Sequence, residues 1–196
     1  MKFILPVFAA AMLLAAPAQA ETVHYTLEKP HTQILFSVNH LGFSNSTGSF
    51  HDFDGSIEYD TVNVEKSKVD VTIKAASVDM GTTAWDDHVK NSDFLNVEKF
   101  PDITFKSTDV KKTGENTADI TGDLTILGVT KPVVLKTTQN KVGVHPMKNS
   151  PHAGFSATTT FKRSDFGVKF GLPNVGDDVT VRIEVEAEGV KGASAQ

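Results

Sequence analysis

From Val69 to Ala75 every odd-numbered residue is apolar and every even-numbered one is polar. A period of two marks a strand with one face buried and the other wet, and it fixes which side chains can share a core. Val179, Val181, Ile183, Val185 and Ala187 repeat it against Thr180, Arg182, Glu184 and Glu186. Ile34, Phe36, Val38 and His40 share one face, as do Ile103 with Phe105, Leu124 with Ile126, and Phe155 with Phe161. Such alternation belongs to antiparallel sheet, because strands of a parallel sheet are covered on both faces and read as continuous apolar runs. Turn chemistry separates the segments at Leu41-Gly42, Asp54-Gly55, Thr113-Gly114-Glu115-Asn116, Lys131-Pro132 and Pro173-Asn174. The pattern predicts strands near residues 23–27, 33–40, 47–59, 68–77, 102–110, 117–127, 133–139 and 154–161, with 178–188 as a ninth or closing one. About eight strands predict an all-β chain folded as one antiparallel barrel, closed or nearly so.

The alternation stops between Thr82 and Phe100. This stretch holds the only Trp of the chain and predicts one short helical insertion near residues 83–96. A lone helix among strands plugs, lids or rims an end that the sheet leaves open. Its Asp86-Asp87-His88 run suggests metal or acid/base chemistry, but helix neighbours one and two apart do not converge on one ion. Thr83 with Asp86 fits a capping box, and Asp86 with Lys90 an i,i+4 ion pair. The seven His show no metal-ligand spacing, and no nucleophile motif or phosphate loop is present. The residues therefore assign no catalytic group, no metal and no cofactor, and predict a protein that is not an enzyme.

Lys2, the apolar run from Phe3 to Ala16 and the small-x-small Ala18-Gln19-Ala20 read as a cleaved signal peptide over residues 1–20, cut between Ala20 and Glu21. Residues 21–190 then form one domain and 191–196 a flexible tail. No Cys is present, so an exported chain must hold together by its core alone. The Ala-rich leader suits bacterial export to a periplasm. A formal charge of −5 argues against nucleic acid, which needs clustered Lys and Arg. The leader would equally serve an outer-membrane barrel, but one Trp and two Tyr cannot build the aromatic girdles of such a barrel. The expectation is apolar side chains inside, polar ones outside and no stable membrane insertion. A homodimer stays open.

Eight strands leave a lumen that is either filled by side chains or holds one ligand. Thirteen Phe, with Gly42, Gly48, Gly122 and Gly154 thinning several strands, tilt toward a lined cavity. Its expected wall carries Ile34, Phe36, Val38 and Phe50 from the first half. Ile103, Phe105, Leu124 and Ile126 follow, then Phe155, Phe161, Val181 and Ile183.

Several segments, in order, carry a resemblance. They are His31-Thr32 with Phe36 and His40-Leu41-Gly42; Gly48-x-Phe50-x-x-Phe53-x-Gly55; Asp86-x-His88-Val89-x-x-x-Asp93-Phe94-Leu95-Asn96 with Phe100-Pro101-x-Ile103-Thr104-Phe105; Gly122-Asp123-Leu124-Thr125-Ile126-x-Gly128-Val129-Thr130-Lys131-Pro132-Val133; and Gly154-Phe155-x-Ala157 leading to Lys162-Arg163-Ser164-Asp165-Phe166-Gly167. From His24 to about Val190 the chain resembles the YceI-like family of periplasmic polyisoprenoid-binding proteins. That resemblance implies a lipocalin-like barrel whose apolar tunnel takes an isoprenoid tail, as in a polyprenyl phosphate or an isoprenoid quinone, for transport or storage. The alternative is a periplasmic stress-related interaction module with a packed, ligand-free core. Family members commonly place Arg immediately before the Asp of the helical segment and four residues after it, where this chain has Trp85 and Lys90. An aromatic at the mouth suits a neutral ring head group, with His40, His88, Lys90 or Arg163 as polar contacts.

Overall fold

A computed structural model describes residues 22–190; the expected signal peptide, its cleavage site and the expected tail lie outside the described residues. Eleven strand segments carry the chain: β1 (Thr22–Leu27), β2 (Gln33–His40), β3 (Ser44–Phe50), β4 (Phe53–Asp60), β5 (Lys68–Lys74), β6 (Val78–Asp79), β7 (Asp102–Lys112), β8 (Thr117–Ile126), β9 (Val129–Val144), β10 (Pro151–Lys162) and β11 (Val175–Gly189). Among the described residues a single α-helix, α1 (Thr83–Lys90), follows β6. Every pairing is antiparallel, and β11 pairs with both β10 and β1, which closes the sheet on itself.

Eight courses make the ring because three of them are composite. The long β11 pairs with β2 over residues 175–184 and with β1 over 187–189, so β1 and β2 are two halves of one course. β4 and β3 form the next course beside them, and β5 and β6 the third. Each course changes phase at its break. Tyr25 faces inward before the first break and Ile34 after it; Phe50 and Phe53 flank the second; Ile73 and Val78 flank the third. A slip of one residue would otherwise turn a whole apolar face to water, so the irregular residues restore the inward phase. The breaks sit side by side. Lys74 N–H donates to Asp52 O at 2.8 Å and His51 N–H to Ser77 O at 3.3 Å, while Lys29 Nζ reaches Asp52 at 3.2 Å and Asp54 at 3.0 Å. Together they draw a crease across one side of the barrel. This is why 47–59, read as one strand in the sequence, is two.

Two other expected turns are strand. Asp54-Gly55 lies inside β4, where a Cβ on Gly55 would stand 2.8 Å from Leu27 and 2.9 Å from the Asp70 carbonyl; Gly serves close approach there. Lys131-Pro132 lies inside β9, beyond the last β9–β10 pair at Lys136 and Thr158, where one side of the strand is open and a missing N–H costs no ladder bond. The β8–β9 turn is Leu127-Gly128 instead, with φ of 52° and 72°, matching Leu41-Gly42 at 55° and 76° in the β2–β3 turn.

Charged residues line the outer face in cross-strand pairs such as Lys68–Glu58, Lys74–Asp102 and Lys162–Asp178. The inner face is apolar and packs in two buried clusters. One gathers Ala75, Ile103, Phe105, Leu124, Ile126, Val133 and Phe166; the other gathers Tyr25, Ile57, Ala153 and Ala187. An apolar belt turned outward to lipid is thereby ruled out for the described strands.

Candidate ligand-binding site

Between and beyond these clusters the barrel is hollow. A cavity of about 880 Å³ runs through it, toward the upper end of the range for small-molecule sites. Its wall takes inward residues from every course. All twelve expected lumen residues line it, but in two ways. Ile34, Ile103, Phe105, Leu124 and Ile126 are also buried against other side chains, so they are core as much as wall. Phe36, Val38, Phe50, Phe155, Phe161, Val181 and Ile183 keep part of their surface exposed.

Glycine makes room for the rings. A Cβ on Gly48 would stand 2.5 Å from the Phe36 ring, and one on Gly122 would stand 2.3 Å from the Phe105 ring. Phe36 lies opposite Gly48 across the β2–β3 ladder, so the ring lies over a bare backbone instead of filling the lumen.

A family model for the YceI-like domain matches residues 25–187. The chain belongs to the YceI-like family. A UPF0312 protein of Pseudomonas putida is 42% identical over 181 residues, covering 92% of each chain. Among solved structures, the Campylobacter jejuni YCEI protein is 36% identical with a TM-score of 0.70, covering 76% of this chain and 88% of that one. A polyisoprenoid binding domain from Saccharophagus degradans, implicated in plant cell wall breakdown, shares the fold at 14% identity with a TM-score of 0.67, covering 85% and 98%.

The two ends of this YceI-like cavity differ. At one end α1 and the loop before β11 border the lumen, and His88, Phe94 and Phe170 stack edge to face with centroids 5.0 to 6.0 Å apart. Trp85, His40 and Met80 complete that rim. At the other end the wall turns polar, with Asn63, Glu65, Lys112, Glu115 and Asn116. Sequence reasoning missed this second end, and it missed Phe94 and Phe170 as site residues, since both stand in loops that lack the alternation from which a facing could be read. Within the lumen Tyr59 Oη donates to Gln139 Oε1 at 2.7 Å, so these two polar side chains of the wall satisfy each other.

The expected mouth contacts separate. His40, Trp85 and His88 stand on the wall. Lys90 does not. The helix ends there because Asn91 turns extended and its side chain accepts from Asp93 N–H at 2.8 Å, so α1 stops six residues short of Asn96. Lys90 instead helps Gly81 N–H and His51 hold the Asp79 carboxyl below its usual range. Arg163 reaches the wall but is 6% exposed, and its guanidinium donates to the carbonyls of Gly176 at 2.8 Å, Val168 at 3.1 Å and Val175 at 2.9 Å. It is a clamp for the β10–β11 connection.

The capping box also takes another form. Thr82 is the N-cap without a side-chain bond, and Asp86 Oδ1 accepts from Met80 N–H at 2.6 Å; among the described residues it makes no ion pair with Lys90. Strand pairing further gathers two groups that spacing in the sequence could not reveal: Glu28, His152 and Glu188, and Glu28, His31 and Glu186, each with ligand atoms within 4.8 Å of one another. Lys148 pairs with Glu28 and Glu188 and neutralises part of that charge.

Proposed function

We propose that this protein binds a long isoprenoid lipid inside the barrel and carries or stores it in the periplasm, without catalysis. The observation that carries this reading is the cavity of about 880 Å³, apolar along its length with its charged groups at the ends. A prenyl tail asks for such a space. It needs no directed hydrogen bonds, and each buried methylene contributes about 0.8 kcal/mol. The polyisoprenoid binding named for the Saccharophagus degradans domain supports the same ligand class. A lumen of this size also argues against a wholly packed, ligand-free core.

The head group is neutral in this proposal. Lys90 is off the wall and Arg163 is spent on three carbonyls, so the helical end offers Trp85, His40 and His88. At the far end Lys112 is outnumbered by Glu65 and Glu115. Neither end has the surplus of cations that a diphosphate would require, whereas an aromatic rim suits a quinone ring. Extraction of the lipid from protein purified from its native host, followed by mass spectrometry, tests both parts. An isoprenoid quinone is expected; a polyprenyl diphosphate would overturn the neutral head group, and the absence of any prenyl lipid would overturn the function.

A further inference from the structure

The three exposed aromatics among the described residues all stand at one end of the barrel. Phe43 is 90% exposed on the β2–β3 turn, Phe170 49% on the loop before β11 and Trp85 38% on α1, with Leu41, 49% exposed, beside Phe43. The three elements are tied together: Leu41 N–H donates to Asn174 O at 3.0 Å, and Phe170 lies edge-on to His88 of α1, centroids 6.0 Å apart. Trp85 and Phe170 belong at once to this rim and to the cavity wall, so exposed apolar surface and lumen are continuous.

We propose that this rim docks on the surface of a phospholipid bilayer and opens the lumen directly onto it. The inference rests on the lipid-binding reading above and adds where the lipid enters. A prenyl lipid leaving a membrane for the lumen would otherwise cross water with its hydrocarbon bare, and a rim seated in the headgroup layer removes that step. The charges nearby are mixed, with Asp86, Asp87 and Lys90 on α1 and Asp165 and Lys169 on the loop. Attachment is therefore by apolar insertion, with Trp85 at the level where amphipathic rings settle, and needs no anionic lipid. A second copy of the chain would need complementary charge or a larger flat face; four side chains around an opening fit a fluid surface better.

Trp85, as the only Trp, is a built-in reporter. Purified protein is mixed with prenyl-free vesicles of phosphatidylcholine, alone or with phosphatidylglycerol, at low and high salt. Expected are co-sedimentation with both, a change of less than about twofold with salt, and quenching of Trp85 emission by brominated acyl chains. Phe43→Asp, at a position outside the cavity wall, should cut the bound fraction by about tenfold or more with thermal midpoint and prenyl displacement unchanged. Leu41→Asn gives a second variant suited to its φ of 55° and should weaken binding in the same direction. Absence of vesicle binding, unchanged binding by Phe43→Asp, or binding only to anionic vesicles at low salt overturns the proposal. So does a wild-type dimer that ignores vesicles and that Phe43→Asp splits. Prenyl displacement in vesicle-free solution reads the lumen separately: displacement without vesicle binding removes the docking and keeps the function, and vesicle binding without displacement does the reverse.

Discussion

Arg163 shows how a side chain chosen for ligand contact can instead be structural. Its donors satisfy three backbone carbonyls where the chain leaves β10 and returns into β11. Arg163→Ala strands those carbonyls at about 1–3 kcal/mol each before relaxation, so a loss on the order of 3 kcal/mol is expected in chemical denaturation. Arg163→Lys should recover only part, because one ammonium cannot span the fork. Glu28 makes a second residue-scale prediction. The Lys148 ammonium, with His31 behind it, holds its carboxyl down from the ordinary 4.5 to about 2. A carboxyl lowered in the fold adds stability that is complete above 4.5 and lost as pH falls toward 2. His31 is raised by Glu28, so its smaller share is present below 6.5 and lost as pH rises through its folded pKa. Thermal midpoints against pH should therefore fall on the acid side more steeply in wild type than in Glu28→Gln, and slightly on the alkaline side unless His31 is replaced by Gln.

At the scale of elements, the crease matters most. It lets three courses keep apolar faces inward although their residue parity changes midway, from Phe50 to Phe53 in the second. Deleting Asp52 removes one residue from that break and turns Phe53, Ile57 and Tyr59 outward. The deletion should abolish cooperative unfolding by circular dichroism, whereas Asp52→Ala, which keeps the length and loses an exposed ion pair, should cost no more than about 1 kcal/mol. Equal effects would mean that the break carries no phase. The helix was legible as an element because alternation stopped at Thr82, and its early end at Lys90 was not, because Asn91 competes for the backbone only where the next turn lets it. Lys90 is off the wall for a different reason: Trp85, His88 and Val89 share the helical face that meets the lumen, and Lys90 falls outside it.

For the whole molecule, closure rests on the short seam where β11 meets β1 at Tyr25–Gly189, Thr26–Glu188 and Leu27–Ala187. Ala187 is fully buried against Tyr25, Ile57 and Ala153. Ala187→Leu overfills the seam and should cost about 1–3 kcal/mol, with amide exchange at Tyr25 to Leu27 speeding more than in β7 and β8; uniform loss of protection would mean that the seam is no weak point. By itself the sequence determined the all-β class, the antiparallel pairing, the place of the helix and which residues share a face, because alternation is a local property of each strand. Tertiary structure decided that nine apparent strands are eight courses, that Phe36 and Phe105 lie over glycines and leave a hollow, and that Arg163 is spent on backbone. Those outcomes depend on which strand lies beside which, and residues as far apart in the chain as Tyr25 and Gly189 meet only when the barrel closes.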